Sequence, residues 1–140
     1  MIIRNAIEDF RGITEDDWMK KSSPEKWSKK QILGHLIDSA LTNLRRFVVT
    51  QYAQKQKIVY HQDDWVEIQQ YQGADIAEMI ALWRLLNLQL IRVINGMPDA
   101  KLQNICDTGK TNTEYHTLEF LLGDYITHLI HHLGQITKAV

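Results

Sequence analysis

The residues best suited to chemistry sit in one apolar stretch near the C-terminus. Tyr125-Ile126-Thr127-His128-Leu129-Ile130-His131-His132-Leu133-Gly134-Gln135 holds three of the chain's 6 histidines. On a helix, His128 and His132 share a face with Cβ atoms roughly 5–6 Å apart. Two imidazoles so placed can converge on one metal ion. His131 projects from a different side, because each residue turns the helix by about 100°. Taken alone, such a pair reads more simply as two polar residues at the margin of an apolar face. A third histidine, His35, in another helical stretch favours the metal. Three histidines and an open position make a catalytic zinc arrangement. Such a site lowers the pKa of a bound water toward about 7 or holds a thiolate nucleophile.

Two helices must position these rings. The first opens on Ser28-Lys29-Lys30-Gln31, a capping-box pattern, with Trp27 at the preceding staple position. Leu33, Ile37, Ala40, Leu44, Phe47 and Val48 carry it to about Gln54 as an apolar stripe. His35 falls nearly opposite that stripe, beside Ser39, Thr42 and Arg46, which on the pattern alone favours a solvent-facing histidine. Ile32, Leu36 and Asn43 border the same side, so a semi-polar crevice is the alternative, and periodicity leaves both open. The second helix begins near Thr117, a capping residue with Glu119 in the first turn. Leu118, Leu122, Tyr125, Ile126, Leu129, Leu133 and Ile136 form its expected core face, with His128 and His132 at the edge. Asp124 stands one turn before His128, where a carboxylate could orient that ring, reach the metal or remain an exposed charge.

The remaining elements are helical too. Ile3, Ala6, Ile7 and Phe10 predict a short first helix, and Thr14 or Asp16 caps a turn through Trp18 and Met19. Residues 20–26, with Ser22-Ser23-Pro24, read as a loop. Asp75 opens a third long helix with Glu78 as a box-like partner. Its face runs through Ile76, Met79, Ile80, Trp83, Leu86, Leu90, Val93 and Ile94, and Gly96-Met97-Pro98 stops it. Two long connections remain. In residues 55–73, Lys57–Tyr60 is extended. His61-Gln62-Asp63-Asp64-Trp65 is either the rim of a pocket or, more simply, a helix start capped by Asp63 or Asp64. In residues 99–116, Gly109–Asn112 is a turn between two short extended pieces. No Gly-rich phosphate loop is present.

Composition sets the outer limits. A chain of 140 residues, 44% hydrophobic and 24% charged, suits one globular domain spanning 1–140. Two prolines and seven glycines are few, which with the 3.6-residue periodicity indicates an all-α fold. A net charge of −1 argues against a basic nucleic-acid surface or an anionic-membrane partner. No stretch approaches the roughly 18 apolar residues of a membrane span. The single cysteine, Cys106, reads as a buried small hydrophobe. Together with the early charges after Met1, it leads to an expected cytoplasmic location.

In order, Trp27-Ser28-Lys29-Lys30-Gln31-Ile32-Leu33-Gly34-His35-Leu36-Ile37-Asp38-Ser39-Ala40, then Asn43-Leu44-Arg45-Arg46-Phe47, then Thr117-Leu118-Glu119-Phe120 running into Asp124-Tyr125-x-x-His128-x-x-His131-His132-x-Gly134-Gln135 resemble the DinB-like superfamily. Its members are often labelled metal-dependent hydrolases, and some look like thiol S-transferases. The resemblance covers most of the chain. It implies an antiparallel four-helix bundle with long crossovers, a homodimer, and a divalent zinc or nickel ion on His35, His128 and His132.

The expectation is therefore a metal-dependent enzyme acting on a small-molecule substrate. The metal would activate water for hydrolysis or a low-molecular-weight thiol for transfer. Asp38, Asp64 and Asp124 are the candidate proton carriers, each of which would need to lie within hydrogen-bond reach of the activated group. The alternative is a non-catalytic, stress-related bundle with a structural or empty site, acting by association. A fourth protein ligand, such as Asp124 or His61, would favour that alternative.

Overall fold

The computed structural model describes residues 1–138. Four helices form the antiparallel bundle: α1 (Ile2–Phe10), α3 (Lys29–Tyr52), α5 (Ile76–Asn95) and α6 (Leu118–Thr137). Two short helices, α2 (Glu15–Met19) and α4 (Gln62–Ile68), lie in the connections. A two-stranded antiparallel hairpin pairs β1 (Ile105–Asp107) with β2 (Tyr115–Thr117), in the register Ile105 with Thr117, Cys106 with His116 and Asp107 with Tyr115. These strands are the extended pieces expected around the Gly109–Asn112 turn.

The helix starts follow the capping residues. Ser28 Oγ accepts from the Gln31 backbone N–H at 3.1 Å, and Gln31 Oε1 accepts from that of Ser28 at 3.0 Å. Thr14, Asp75 and Thr117 accept from Asp17, Glu78 and Phe120 at 3.1, 3.0 and 3.1 Å. Each such cap contributes about 1 kcal/mol by satisfying an orphan donor of the first turn. At α4 the expected cap is corrected. The N-cap position is His61, without a side-chain bond, and Asp63 and Asp64 lie inside the first turn. There they favour the positive end of the helix dipole without capping it.

At the centre lies α3. Every residue from Leu33 to Ala40 is buried, because α5 and α6 pack along this helix while α2 and α4 close its flanks. The solvent-facing reading of His35 is therefore wrong: the residue is 1% exposed. Two details of the expected apolar stripes also shift. Val48 and Ile126 are exposed, Leu122 is half-buried, and Leu121 is buried in its place. At about 100° per residue, Leu121, His128 and His132 share one edge of α6. That edge turns toward α3 and draws both histidines inward. Behind them, Phe10 packs on Trp18 and Trp83 with ring centroids 5.4 and 5.6 Å apart.

Gly34, one residue before His35, is fixed by contact. Tyr71, in a 3-10 turn after α4, lays its ring on the Gly34 backbone. The Tyr71 hydroxyl then donates to Asp38 Oδ1 at 2.6 Å, and Gln69 Nε2 donates to the same oxygen at 2.8 Å. Asp38 is therefore spent on tying the first crossover to α3. A Cβ at position 34 would sit 2.1 Å from Tyr71 Cδ2. The Gly34→Ala substitution gains up to about 1 kcal/mol of helix propensity but displaces the ring, a cost of about 1–3 kcal/mol for overpacking. We expect it to lower the thermal midpoint by several degrees. Gly123→Ala, where nothing lies within 4 Å, is expected to raise it slightly. Calorimetry of both variants checks the pair, and an equal rise in both would contradict the contact.

Candidate metal centre

Each of His35, His128 and His132 contributes one ring nitrogen to a group whose members all lie within 4.8 Å of one another. His35 comes from α3; the other two come from successive turns of α6. His35 Nε2 is 3.0 Å from His128 Nε2. Ring centroids are 4.9 Å (His35–His128), 4.8 Å (His35–His132) and 4.4 Å (His128–His132) apart. Nitrogens bound at about 2.0–2.1 Å around a tetrahedral ion lie roughly 3.3 Å apart. The donor set thus has the dimensions and the chemistry for a divalent ion.

An outer hydrogen bond fixes the tautomer of His132. His132 Nδ1 lies 2.8 Å from Gln135 Oε1. An amide oxygen only accepts, so Nδ1 carries the proton and Nε2 keeps its lone pair. His35 Nδ1 faces the Tyr60 hydroxyl at 3.5 Å. The His35 ring has the indole of Trp27 5.1 Å away, tilted, and the Tyr60 ring 6.4 Å away, near parallel. Burial, then the neighbouring His128 and His132, lower the His35 pKa to about 3. Burial, then His132, lower that of His128 to about 4, with Asp124 opposing. Burial lowers His132 as well, against the Gln135 hydrogen bond. All three rings are held neutral, the form a metal ligand requires.

The other candidates divide. His131 is exposed, its ring 5.0 Å from that of His132, and stays outside the group. Asp38 is buried beside Tyr71 and Gln69, and burial raises its pKa. Asp64 is exposed on α4 and His61 is exposed before it; neither joins the group. Asp124 lines a cavity of about 400 Å³ together with His128.

Residues the sequence did not single out complete that cavity. Arg46 and Tyr60 form one wall, and Lys110, Glu114 and His116 come from the hairpin. Arg46 donates Nε and Nη2 to the Ile58 carbonyl at 3.0 and 2.8 Å. Asp107 Oδ1 accepts from Gly109 and Glu114 backbone N–H groups at 2.9 and 3.0 Å, which shapes the loop carrying Lys110. Gly109 is required there, since a Cβ would meet Asn112 O at 1.7 Å. His116 Nε2 meets Glu114 Oε1 at 2.9 Å and stacks on Phe120 at 4.3 Å. Burial, then Asp38, push the Tyr60 hydroxyl up to about 12. Only Arg46 carried a sequence signal, its place on the His35 side of α3.

Comparison with known proteins was informative on the fold. The family model described as the DinB superfamily matches residues 3–136. The Bacillus subtilis (strain 168) protein YfiT, provisionally named a metal-dependent hydrolase, is 28% identical over 120 residues, 80% of this chain and 63% of that protein. The chain thus spans a little under two thirds of that relative's length. A solved structure described as YfiT from Bacillus subtilis, "a probable metal-dependent hydrolase with an unusual four-helix bundle topology", superposes with a TM-score of 0.87 at 23% identity. The match covers 97% of this chain and 78% of that one. The bundle inferred from periodicity and resemblance is therefore the architecture of a solved relative.

The neutral rings make stability depend on acidity. Unfolded histidines titrate near 6.5, whereas His35 and His128 hold out to about 3 and about 4. Between those values the unfolded chain binds more protons, so stability rises with pH and falls on acidification below about 6.5. For chelator-treated protein, the urea midpoint should drop steadily from about pH 7 to about pH 5. His35→Gln should flatten that slope. An unchanged slope in the variant would mean that His35 is not held neutral.

Proposed function

The chain belongs to the DinB superfamily, and from that premise we propose that it is a divalent-metal-dependent hydrolase whose ion is held by His35, His128 and His132. One observation carries the reading. Three neutral ring nitrogens from two helices converge beside a cavity, and among the described residues no fourth histidine, cysteine or carboxylate joins their group. A three-member donor set leaves a coordination position for chemistry, whereas structural sites are closed by four protein ligands. Nitrogen donors suit both zinc and nickel. When bound, such an ion would supply Lewis acidity to a water or a substrate carbonyl.

The chain's own residues divide the remaining tasks. Gln135 and Tyr60 hold the outer nitrogens of His132 and His35 and so aim their Nε2 atoms inward. Trp27 and Tyr60 pack beside the His35 ring, which is 1% exposed and so kept from water. Of the three carboxylates considered from sequence, Asp124 alone lines the cavity with His128. It is the group assigned to take a proton, directly or through one water. The hydrolase name of YfiT supports the reading.

Elemental analysis of untagged protein tests it. Wild type should carry about one zinc or nickel ion per chain, and His128→Ala should lose most of it while keeping a helical circular-dichroism spectrum. Wild type that holds neither ion, even after reconstitution with each, would remove the reading. Asp124→Asn should retain the metal and lose turnover, with kcat rather than metal content reporting the change.

A further inference from the structure

We propose that Arg46 and Lys110 form an oxyanion subsite in the cavity beside His128, so that the molecule bound there carries a carboxylate or phosphate group. The inference takes from the preceding reading only the use of this cavity as the substrate's place. The subsite itself needs no metal.

Arg46 is half-buried on α3. Its guanidinium is anchored on one side, Nε and Nη2 donating to the Ile58 carbonyl. The remaining N–H groups belong to a side chain that lines the cavity. Among the described residues, the Lys and Arg ion pairs join Arg11 to Glu8 and Lys30 to Glu15; Arg46 and Lys110 have no carboxylate within 4.0 Å. A cation withdrawn from water without a counter-charge is costly. This one is retained where a ligand would meet it. Its fork is already oriented, so little side-chain entropy is lost when an oxyanion docks on it. Lys110 lines the same cavity from the exposed hairpin loop.

Two carboxylates also line the space. Glu114 Oε1 lies 2.9 Å from His116 Nε2. Asp124 stands on α6 one turn before His128. The lining thus carries two cations and two carboxylates, and neither cation is paired with either carboxylate within 4.0 Å. At about 400 Å³ the cavity fits the range of small-molecule sites, roughly 300–1,000 Å³. A small substrate would rest its charged group on Arg46 and Lys110 and present its reacting bond toward His128.

The test is a titration of chelator-treated wild type with inorganic phosphate, acetate and malonate at constant ionic strength. It is followed by calorimetry and by the NMR shift of the arginine Nε–H groups. We expect saturable binding of at least one of these oxyanions, with a shift at Arg46. Binding should weaken about tenfold or more in Arg46→Gln, the loss of a charge-assisted bond, and severalfold in Lys110→Gln. Lys110 lies on an exposed loop, so that variant reports even if Arg46→Gln does not fold, and Arg46→Lys keeps the charge while losing the fork. Phosphate binding without carboxylate binding, or the reverse, names the source of the oxyanion. No saturable binding by any of the three, equal shifts with chloride, or unchanged affinity in Lys110→Gln and Arg46→Lys together would overturn the subsite. Because the titration uses metal-free protein, it stands apart from the metal result. Binding that persists in His128→Ala while zinc is lost places the oxyanion on the cations, and binding lost with His128 overturns the proposal.

Discussion

A neutral imidazole in the interior of α3 is the constraint around which this structure is arranged. His35 is 1% exposed, too deep to be charged and too polar to be left alone. Its Nε2 faces that of His128 at 3.0 Å and its Nδ1 faces Tyr60. Two lone pairs cannot approach so closely without a proton or a cation between them, so the core of the bundle contains an electrostatic demand that packing alone does not meet. The same helix hides Asp38, Ser39, Thr42 and Asn43. Asp38 Oδ1 is bonded from the first crossover, and the Asn43 amide donates to the Ser39 carbonyl at 2.8 Å. Asp38 Oδ2 and Thr50 Oγ1 are buried without a partner, so the polar interior of α3 is matched only in part.

The segment between α3 and α4 links these demands. Lys55 N–H donates to Ile105 O at 2.8 Å, Ile58 N–H to Asp107 O at 3.0 Å, and Asp107 N–H to Gln56 O at 3.0 Å. The segment thus runs along β1, and Cys106 is buried beneath it. Tyr60, which reaches His35, and Ile58, whose carbonyl anchors Arg46, both belong to it. One stretch of extended chain therefore sets the Nδ1 side of a histidine and the direction of a guanidinium. A shift of that stretch would disturb both.

This division explains what could be read in the sequence. The starts of α3, α5 and α6 were legible because Ser28, Asp75 and Thr117 make local contacts, each three residues long. His128 and His132 were legible as a pair because a helix turn fixes their spacing. His35 was not, since its surroundings are decided by α6 and by the chain near Tyr60, far away in sequence. The solvent-facing reading failed because α3 is enclosed on all sides from Leu33 to Ala40, so the polar face opposite an apolar stripe meets another helix there. Leu121 replaced Leu122 for a related reason: the buried arc of α6 turns toward α3, a rotation that a stripe of apolar residues does not specify. Lys110 and His116 gave no signal, because connections have no periodicity to betray which residue turns inward.

Helices and connections thus carry different parts of the proposed chemistry. A ligand set on α3 and α6 inherits the rigidity of a packed bundle and can be held to within tenths of an ångström. The connections complete the cavity that α3 and α6 line, through Tyr60, Lys110, Glu114 and His116. Such segments change length and composition more readily than the helices they join. On the proposed reading, a bundle of this kind can keep one ion and one mode of activation while its crossovers alter the charge and shape presented to the substrate. The 23% identity to a structure that superposes at a TM-score of 0.87 fits that division at the level of the fold. It follows that similarity in the helices alone should be a poor guide to substrate here, and that residues between Gln54 and Gln62 and between Asp107 and Thr117 share the discrimination with Arg46 on α3.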